Sequence, residues 1–124
     1  MQNIIAIGVA GLIGTLARYW LNEAVTNRLG PAFPYGTLAV NLVGCFAIGF
    51  LYYAFTDGFA AHPTLRSAVF VGFLGGFTTF SSFGLQTFTL LEAGQTLQAA
   101  MNIVVSNAGG LFFVWVGYLV SRLT

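Results

Sequence analysis

Charge is what this sequence has least of. Its 124 residues include no lysine, four arginines and three acidic residues, so that charged side chains make up 6% of the chain and hydrophobic ones 57%. Soluble domains average about 25% charged residues, and this chain has too few to cover a surface in water. The composition therefore predicts a membrane protein. The scattered arginines also do not form the basic patch that nucleic-acid binding requires.

Groups suited to catalysis or metal ligation are equally scarce. The single cysteine, Cys45, lies inside an apolar run, which excludes a disulfide within one chain and is typical of a small buried side chain. The single histidine, His62, precedes Pro63 in a polar break. Because these residues offer no metal-ligand spacing and no nucleophile–base pair, the sequence predicts that the protein is not an enzyme.

Four apolar stretches are long enough to cross a bilayer, which takes about 20 residues. The breaks between them contain proline, glycine and polar residues, as turns do, and aromatic residues stand near several ends, as in an interfacial belt. We therefore predict an all-α membrane protein with one domain, residues 1–124. The predicted spans are 4–21, 36–55, 65–91 and 97–123, with breaks at 22–35, 56–64 and 92–96.

The arginines are divided evenly between the two faces of the membrane in this arrangement. Arg18 and Arg28 flank one face, and Arg66 and Arg122 flank the other. The positive-inside rule orients a chain by an excess of Lys and Arg on one side, and here there is no excess. We predict insertion in both orientations, so that opposite copies can pair as an antiparallel dual-topology homodimer. The alternative is a single topology fixed by other features.

Uncharged polar residues recur within three of the predicted spans. Such groups are costly in lipid and tend to mark a pathway, although they also hydrogen-bond helices to one another. We interpret the set as a polar track. A proton-coupled exporter would need an acid within the membrane, whereas Glu23, Asp57 and Glu92 all fall at or beyond the predicted ends. The polar track comprises Thr37, Asn41, Thr78, Thr79, Ser81, Ser82, Gln86, Thr87, Asn102, Ser106 and Asn107.

The polar track favours a small, strongly hydrated anion. Hydroxyls and the Asn41 amide can direct protons at a negative charge, and the edge of an aromatic ring is the positive part of its quadrupole. Phe77, Phe80 and Phe83 recur at i, i+3 and i+6, which predicts a stripe on one side of a helix. The sequence therefore predicts passive passage of an anion along a neutral, donor-lined path.

A pair of glycines, Gly75 and Gly76, interrupts the third span. Glycine pairs permit a kink or an unwound turn, and irregular backbone at membrane depth is tolerated where it is buried or lines a cavity. We predict that the third helix is broken near residues 75–79. The carbonyl oxygens exposed by such a break could hold a hard cation such as sodium.

Three stretches resemble the Fluc, or CrcB, family of fluoride channels. They are GTLARYW at 14–20, GTLAVNLVG at 36–44 and GFLGGFTTFSSF at 72–83, and the resemblance extends over the whole chain in length, number of spans and order of motifs. It implies a multi-pass protein of the cell (inner) membrane. This protein would export toxic cytoplasmic fluoride passively, through two pores in an antiparallel homodimer.

The resemblance also implies roles for particular residues. A structural sodium ion at the dimer centre would be held by the backbone carbonyls of Gly75 and Thr78 from each subunit. Two residues depart from the pattern: Ser82 replaces a threonine of many members, and Gln86 replaces their glutamate with an amide that cannot ionise. The implied fluoride-pathway residues are Asn41, Phe80, Phe83, Thr79, Ser81, Thr37, Ser106 and, near the vestibule, Arg18.

Two other functions stand beside the channel hypothesis. A small multidrug-type proton-coupled exporter shares the four spans and dual topology but requires an embedded acid. The third hypothesis is a structural or accessory membrane protein that transports nothing. It predicts that truncating the phenylalanine stripe changes stability and not flux, whereas a channel would lose flux.

Overall fold

The computed structural model describes residues 1–54 and 62–124, and every regular element in those ranges is helical. Phe55, the last residue of the second predicted span, lies outside the described residues. Most of the predicted break at 56–64, including Asp57, also lies outside them. The elements are α1 (Gln2–Leu29), α2 (Tyr35–Tyr53), α3 (Pro63–Ser67), a π-helix (Ala68–Phe73), α4 (Leu74–Phe77), α5 (Phe80–Glu92) and α6 (Thr96–Leu123).

Within these described ranges, four helical segments are long and apolar enough to cross a membrane, which confirms the all-helical, four-span prediction. The first, second and last of these spans are α1, α2 and α6. The third span, Pro63–Glu92, combines α3, the π-helix, α4 and α5. The predicted break at 92–96 is confirmed, because α5 ends at Glu92 and Gly94 turns the chain with a φ of 77°.

The first helix is longer than predicted. It continues to Leu29, roughly two turns past residue 21, so the predicted break at 22–35 is wrong over most of its length. The residues from Asn22 to Arg28 are mostly polar but include neither glycine nor proline, and nothing in them stops a helix. Gly30, with a φ of 88°, and Pro31 end it instead.

The third span is irregular in two places. Its residues Ala68–Phe73 form a π-helix, an element that often accompanies functional sites. Helical geometry then stops after Phe77, and Thr78 and Thr79 are extended, with ψ of 156° and 118°. The glycine pair lies within α4 itself. Gly76 serves close packing there, because a Cβ on it would come within 2.6 Å of the Gly11 carbonyl oxygen in α1.

Small residues lie where the helices cross. The most extensive pairing joins α2 to α6, and there a Cβ on Gly49 or Gly117 would collide with the backbone of the facing helix. Gly14 of α1 meets the backbone of Phe73 in the same way. Close approach of this kind favours helix association in lipid. Most large apolar side chains of the described residues point outward, as a hydrocarbon environment allows.

Candidate functional site

The interruption in the third span is held open by one side chain from α2. The Nδ2 of Asn41 donates to the carbonyl oxygen of Thr79 at 2.9 Å, and the backbone N–H of Thr79 donates to Oδ1 of Asn41 at 2.8 Å. Because Thr79 is extended, its backbone N–H and C=O do not make helical hydrogen bonds, and the side-chain amide of Asn41 bonds to both groups instead. The structure brings together these two residues, which are 38 positions apart in the sequence.

Hydroxyl groups gather at the start of α5, immediately after the interruption. Thr79 caps the helix, because its Oγ1 accepts from the backbone N–H of Ser82 at 3.3 Å and also donates to the Ser82 hydroxyl at 3.1 Å. The Ser81 hydroxyl lies 3.5 Å from the same Oγ1 and is exposed. The positive end of the α5 dipole points toward this cluster, which is a favourable place for an anion.

A groove of about 360 Å³ adjoins this cluster. Phe80 is 79% exposed at its wall, and its ring centroid lies 5.4 Å from that of Phe83. The groove brings together four of the predicted pathway residues with others from α2 and the third span. Its lining residues are Asn41, Gly44, Cys45, Ile48, Phe70, Leu74, Gly75, Thr78, Thr79, Phe80 and Ser106.

The predicted stripe of three phenylalanines is wrong at Phe77. That ring is 6% exposed and stacks on Phe73 at 5.8 Å, within the core rather than beside Phe80. Two extended residues separate the helix of Phe77 from the helix of Phe80, so the i, i+3 spacing no longer places both on one face. Phe80 and Phe83 remain paired because both lie on α5.

A second cavity, of about 320 Å³, lies behind the interruption, and Thr79 lines both it and the groove. Arg18 and Thr37, two of the predicted pathway residues, are in its wall. Among the described residues that line the two cavities, Arg18 is the one charged side chain. The wall of this second cavity consists of Thr15, Arg18, Tyr19, Asn22, Thr37, Val40, Thr79, Ser82 and Gln86.

Part of the polar track is structural support. Asn102 is 2% exposed and donates to the Thr87 hydroxyl at 2.9 Å, while Thr87 donates to the carbonyl of Phe83 at 2.8 Å. Ser106, in the groove wall, donates to Oδ1 of Asn102 at 3.3 Å. This chain of hydrogen bonds ties α6 to the turn of α5 that carries Phe83. Asn107 instead bonds to the Ile103 carbonyl of its own helix.

Sequence reasoning missed Gly44 as a residue of the site. A Cβ on Gly44 would collide with the side chain of Thr78, so this glycine makes room for the first extended residue of the interruption. The available signal was the spacing of Gly44 from Asn41, three positions along the same helix. Among the described residues, no group of three or more His, Cys, Asp or Glu side chains is placed to hold a metal ion.

Comparison with known proteins identifies the family of this chain. The profile of the family described as CrcB-like protein, Camphor Resistance (CrcB), matches residues 5–118. The chain belongs to the CrcB-like family. The Fluc, or CrcB, resemblance is thereby confirmed, as is the prediction that the protein is not an enzyme, because the relatives of this CrcB-like chain are ion channels.

Several curated relatives of the CrcB-like chain are named Fluoride-specific ion channel FluC. The one from Citrifermentans bemidjiense is 46% identical over 98% of both chains. The one from Aquifex aeolicus is 39% identical, again over 98% of both. A relative from Methylococcus capsulatus is 43% identical over 97% of this chain but only 53% of its own length.

Proposed function

We propose that this protein is a fluoride-specific ion channel that exports cytoplasmic fluoride passively across the cell (inner) membrane and so reduces its toxicity. The observation that carries this proposal is the 46% identity, over 98% of both chains, to a relative named Fluoride-specific ion channel FluC. Four membrane-spanning helices supply the required setting.

The geometry of the interruption supports anion passage. The polar side chains in its cavity walls carry hydroxyls, the amides of Asn22, Asn41 and Gln86, and one guanidinium, and the described residues place no carboxylate there. Arg18 raises the local concentration of anions near Thr79, and the α5 dipole with the Ser81 and Ser82 hydroxyls stabilises a negative charge there. Such a wall would favour a compact, strongly hydrated anion over a cation.

The proposed channel is an antiparallel dual-topology homodimer with two pores. The groove is open in a single chain and leaves Phe80 79% exposed, so that one chain alone would form an incomplete pathway. A second copy packed over the groove would enclose the pathway. The even division of the arginines between the two faces supports insertion in both orientations. Each pore would then be lined by Phe80 and Phe83, together with Thr37, Asn41, Thr79, Ser81 and Ser106, and would be approached past Arg18.

The proposed structural sodium ion fits the carbonyls at the interruption. In an unbroken helix the Gly75 carbonyl would accept from the Thr79 N–H, which here donates to Asn41 instead. The Thr78 carbonyl would accept from the Ser82 N–H, which here donates to the Thr79 hydroxyl. Neither carbonyl therefore accepts its usual helical hydrogen bond, both residues line the open groove, and neutral oxygen ligands suit a hard cation. Such an ion would join the two subunits at the dimer centre.

Anion efflux from liposomes tests the proposed function. Purified protein is reconstituted, and the release of fluoride and of chloride is followed under equal gradients with the membrane potential clamped by a potassium ionophore. The proposal predicts rapid fluoride efflux with chloride retained, and no dependence on a proton gradient. Efflux driven by a proton gradient would favour the exporter, and absence of efflux from assembled protein would favour an accessory role.

A further inference from the structure

A further groove, of about 530 Å³, lies between α2 and α6, and we call it the α2–α6 groove. Ile48 is the one described residue that lines both this groove and the groove beside the interruption. Besides Gly49, its walls consist of Ile48, Tyr52, Leu111, Val114, Trp115 and Tyr118. Because these six side chains are aliphatic or aromatic, an occupant of the α2–α6 groove has to be apolar along most of its length.

On α6 the lining residues form one stripe that ends in a cation. The four of them, from Leu111 to Tyr118, follow the i, i+3, i+4, i+7 spacing of a single helix face, over which α6 rises about 10 Å. Arg122 stands four residues further on, and its Cζ atom lies 5.9 Å from the ring centroid of Tyr118. The α2–α6 groove therefore has an apolar end and a positively charged end.

The charged end lies at the membrane face where α2 and α6 both finish. Because consecutive spans cross the membrane in opposite directions, α2 and α6 run parallel and end on one face, at Tyr53 and Leu123. The rings of Tyr52 and Tyr53 pack there against Tyr118, with centroid distances of 6.2 and 6.0 Å. Tyrosines of this kind stand at the level of the lipid headgroups. Arg122 is thus at the depth where a phospholipid carries its phosphate.

No side-chain carboxylate of the described residues is placed to pair with Arg122. Glu23 lies six residues before the end of α1, and Glu92 ends α5, so both are toward the opposite face of the membrane. The remaining acidic residue, Asp57, lies outside the described residues. An arginine at headgroup level attracts anionic lipid, and its guanidinium can donate two hydrogen bonds to a phosphate. Charge and apolar shape therefore both fit a phospholipid with an anionic headgroup.

We propose that the α2–α6 groove binds one anionic phospholipid, with an acyl chain along Trp115 and Leu111 and the headgroup phosphate on Arg122. The acyl chain covers large apolar side chains that a single chain leaves exposed, since Leu111 and Trp115 are both exposed. This site goes beyond the proposed function and does not depend on it. The other two occupants are ordinary bilayer lipid of any headgroup and a second copy of this chain.

Quenching of tryptophan fluorescence by brominated lipid tests the site, because the chain has two tryptophans. Trp20→Phe leaves Trp115 as the reporter in the α2–α6 groove. Trp115→Phe leaves Trp20, which is exposed and lines none of the cavities. Both proteins are reconstituted in phosphatidylcholine liposomes that contain either phosphatidylglycerol or phosphatidylcholine with brominated acyl chains.

The result expected is that brominated phosphatidylglycerol quenches Trp115 at a mole fraction about fivefold lower than brominated phosphatidylcholine does. Equal quenching of Trp115 by the two lipids overturns the proposal, because ordinary bilayer lipid then fills the groove. Quenching of Trp20 by both lipids and of Trp115 by neither also overturns it, because a second copy then covers the groove.

Substitutions in the Trp20→Phe protein assign the preference to Arg122. Arg122→Gln removes the charge and abolishes the fivefold preference, whereas Arg122→Lys keeps the charge and most of the preference. The matched control is Arg28→Gln, because Arg28 is also an exposed arginine in the last turn of a long helix, where each favours its helix dipole. It lies at the opposite face, and its loss leaves the preference unchanged. A preference that survives Arg122→Gln contradicts the proposed headgroup site.

A larger side chain tests the apolar end of the groove. Leu111→Phe, again in the Trp20→Phe protein, narrows the groove and lowers the quenching of Trp115 by brominated phosphatidylglycerol. The control is Leu97→Phe, because Leu97 is exposed on the same helix and lines none of the cavities. Equal quenching in these two variants would show that no acyl chain lies along Leu111.

Discussion

The side-chain amide of Asn41 and the backbone of Thr79 form two reciprocal hydrogen bonds, of 2.9 and 2.8 Å. Thr79 has extended geometry between two helices, so this pair replaces bonds that the helix itself no longer makes. Asn41 and Thr79 also line the groove. One side chain therefore couples the shape of the candidate pathway to the stability of the fold.

Replacement of Asn41 by aspartate tests this coupling. A carboxylate offers no donor, so the Thr79 carbonyl loses its partner while the groove gains a negative charge. We expect Asn41→Asp to lower the free energy of unfolding by about 1–3 kcal/mol and to lower fluoride efflux by more than about tenfold. Thermal unfolding in detergent and liposome efflux measure the two effects.

The control for this substitution is Asn27→Asp, at an exposed residue in the last turn of α1. It makes the same chemical change away from the cavities and should leave efflux unchanged. Efflux at the parent rate from Asn41→Asp would show that this amide is not needed for passage.

Replacement of Phe80 by isoleucine separates transport from folding. Phe80 is 79% exposed in the single chain, so its loss should change the free energy of unfolding by less than about 0.5 kcal/mol. The aromatic edge at the groove wall is removed, and we expect fluoride efflux to fall about tenfold. Phe88→Ile is the matched control, because Phe88 lies on the same helix, is 56% exposed and does not line the groove. Equal efflux from the two variants would count against an aromatic role in the pathway.

Replacement of Gly117 by alanine tests the α2–α6 contact. A Cβ there would collide with the Phe46 carbonyl and come within 2.9 Å of the Phe50 nitrogen, so the two helices must separate. We expect a loss of about 1–3 kcal/mol in the free energy of unfolding, measured by denaturation in detergent. Gly8→Ala is the control, because no atom lies within 4 Å of a Cβ at that position. A Gly117→Ala protein as stable as Gly8→Ala would contradict this packing.

Removal of sodium tests the proposed ion at the carbonyls of Gly75 and Thr78. In sodium-free solution with N-methylglucamine as the large replacement cation, we expect the dimer fraction and fluoride efflux both to decrease. The cause would be the unneutralised carbonyl dipoles of the two subunits at the dimer centre. Chemical cross-linking in detergent measures the dimer fraction, and adding sodium back should restore it. Assembly and efflux that are indifferent to sodium would argue against the site.

The four spans could be predicted from the sequence because hydropathy and length act locally. The predicted ends of the spans were less accurate. The polar residues after residue 21 do not by themselves stop α1, whereas Gly30 and Pro31 do. The separation of Phe77 from Phe80 could not be predicted from spacing, because it depends on two extended residues whose hydrogen bonds are made by Asn41 on another helix.

Composition alone determined that this chain belongs in a membrane, and its motifs alone identified its family, because both depend on which residues are present and in what order. The tertiary structure decided which polar groups line cavities and which support the fold. Asn102 and Thr87 became a buried link between helices, and Gln86 became an unpaired acceptor in a cavity wall. The physical reason is that hydrogen bonds between helices join residues that are distant in the sequence, and a side chain has a partner only when packing places one within reach.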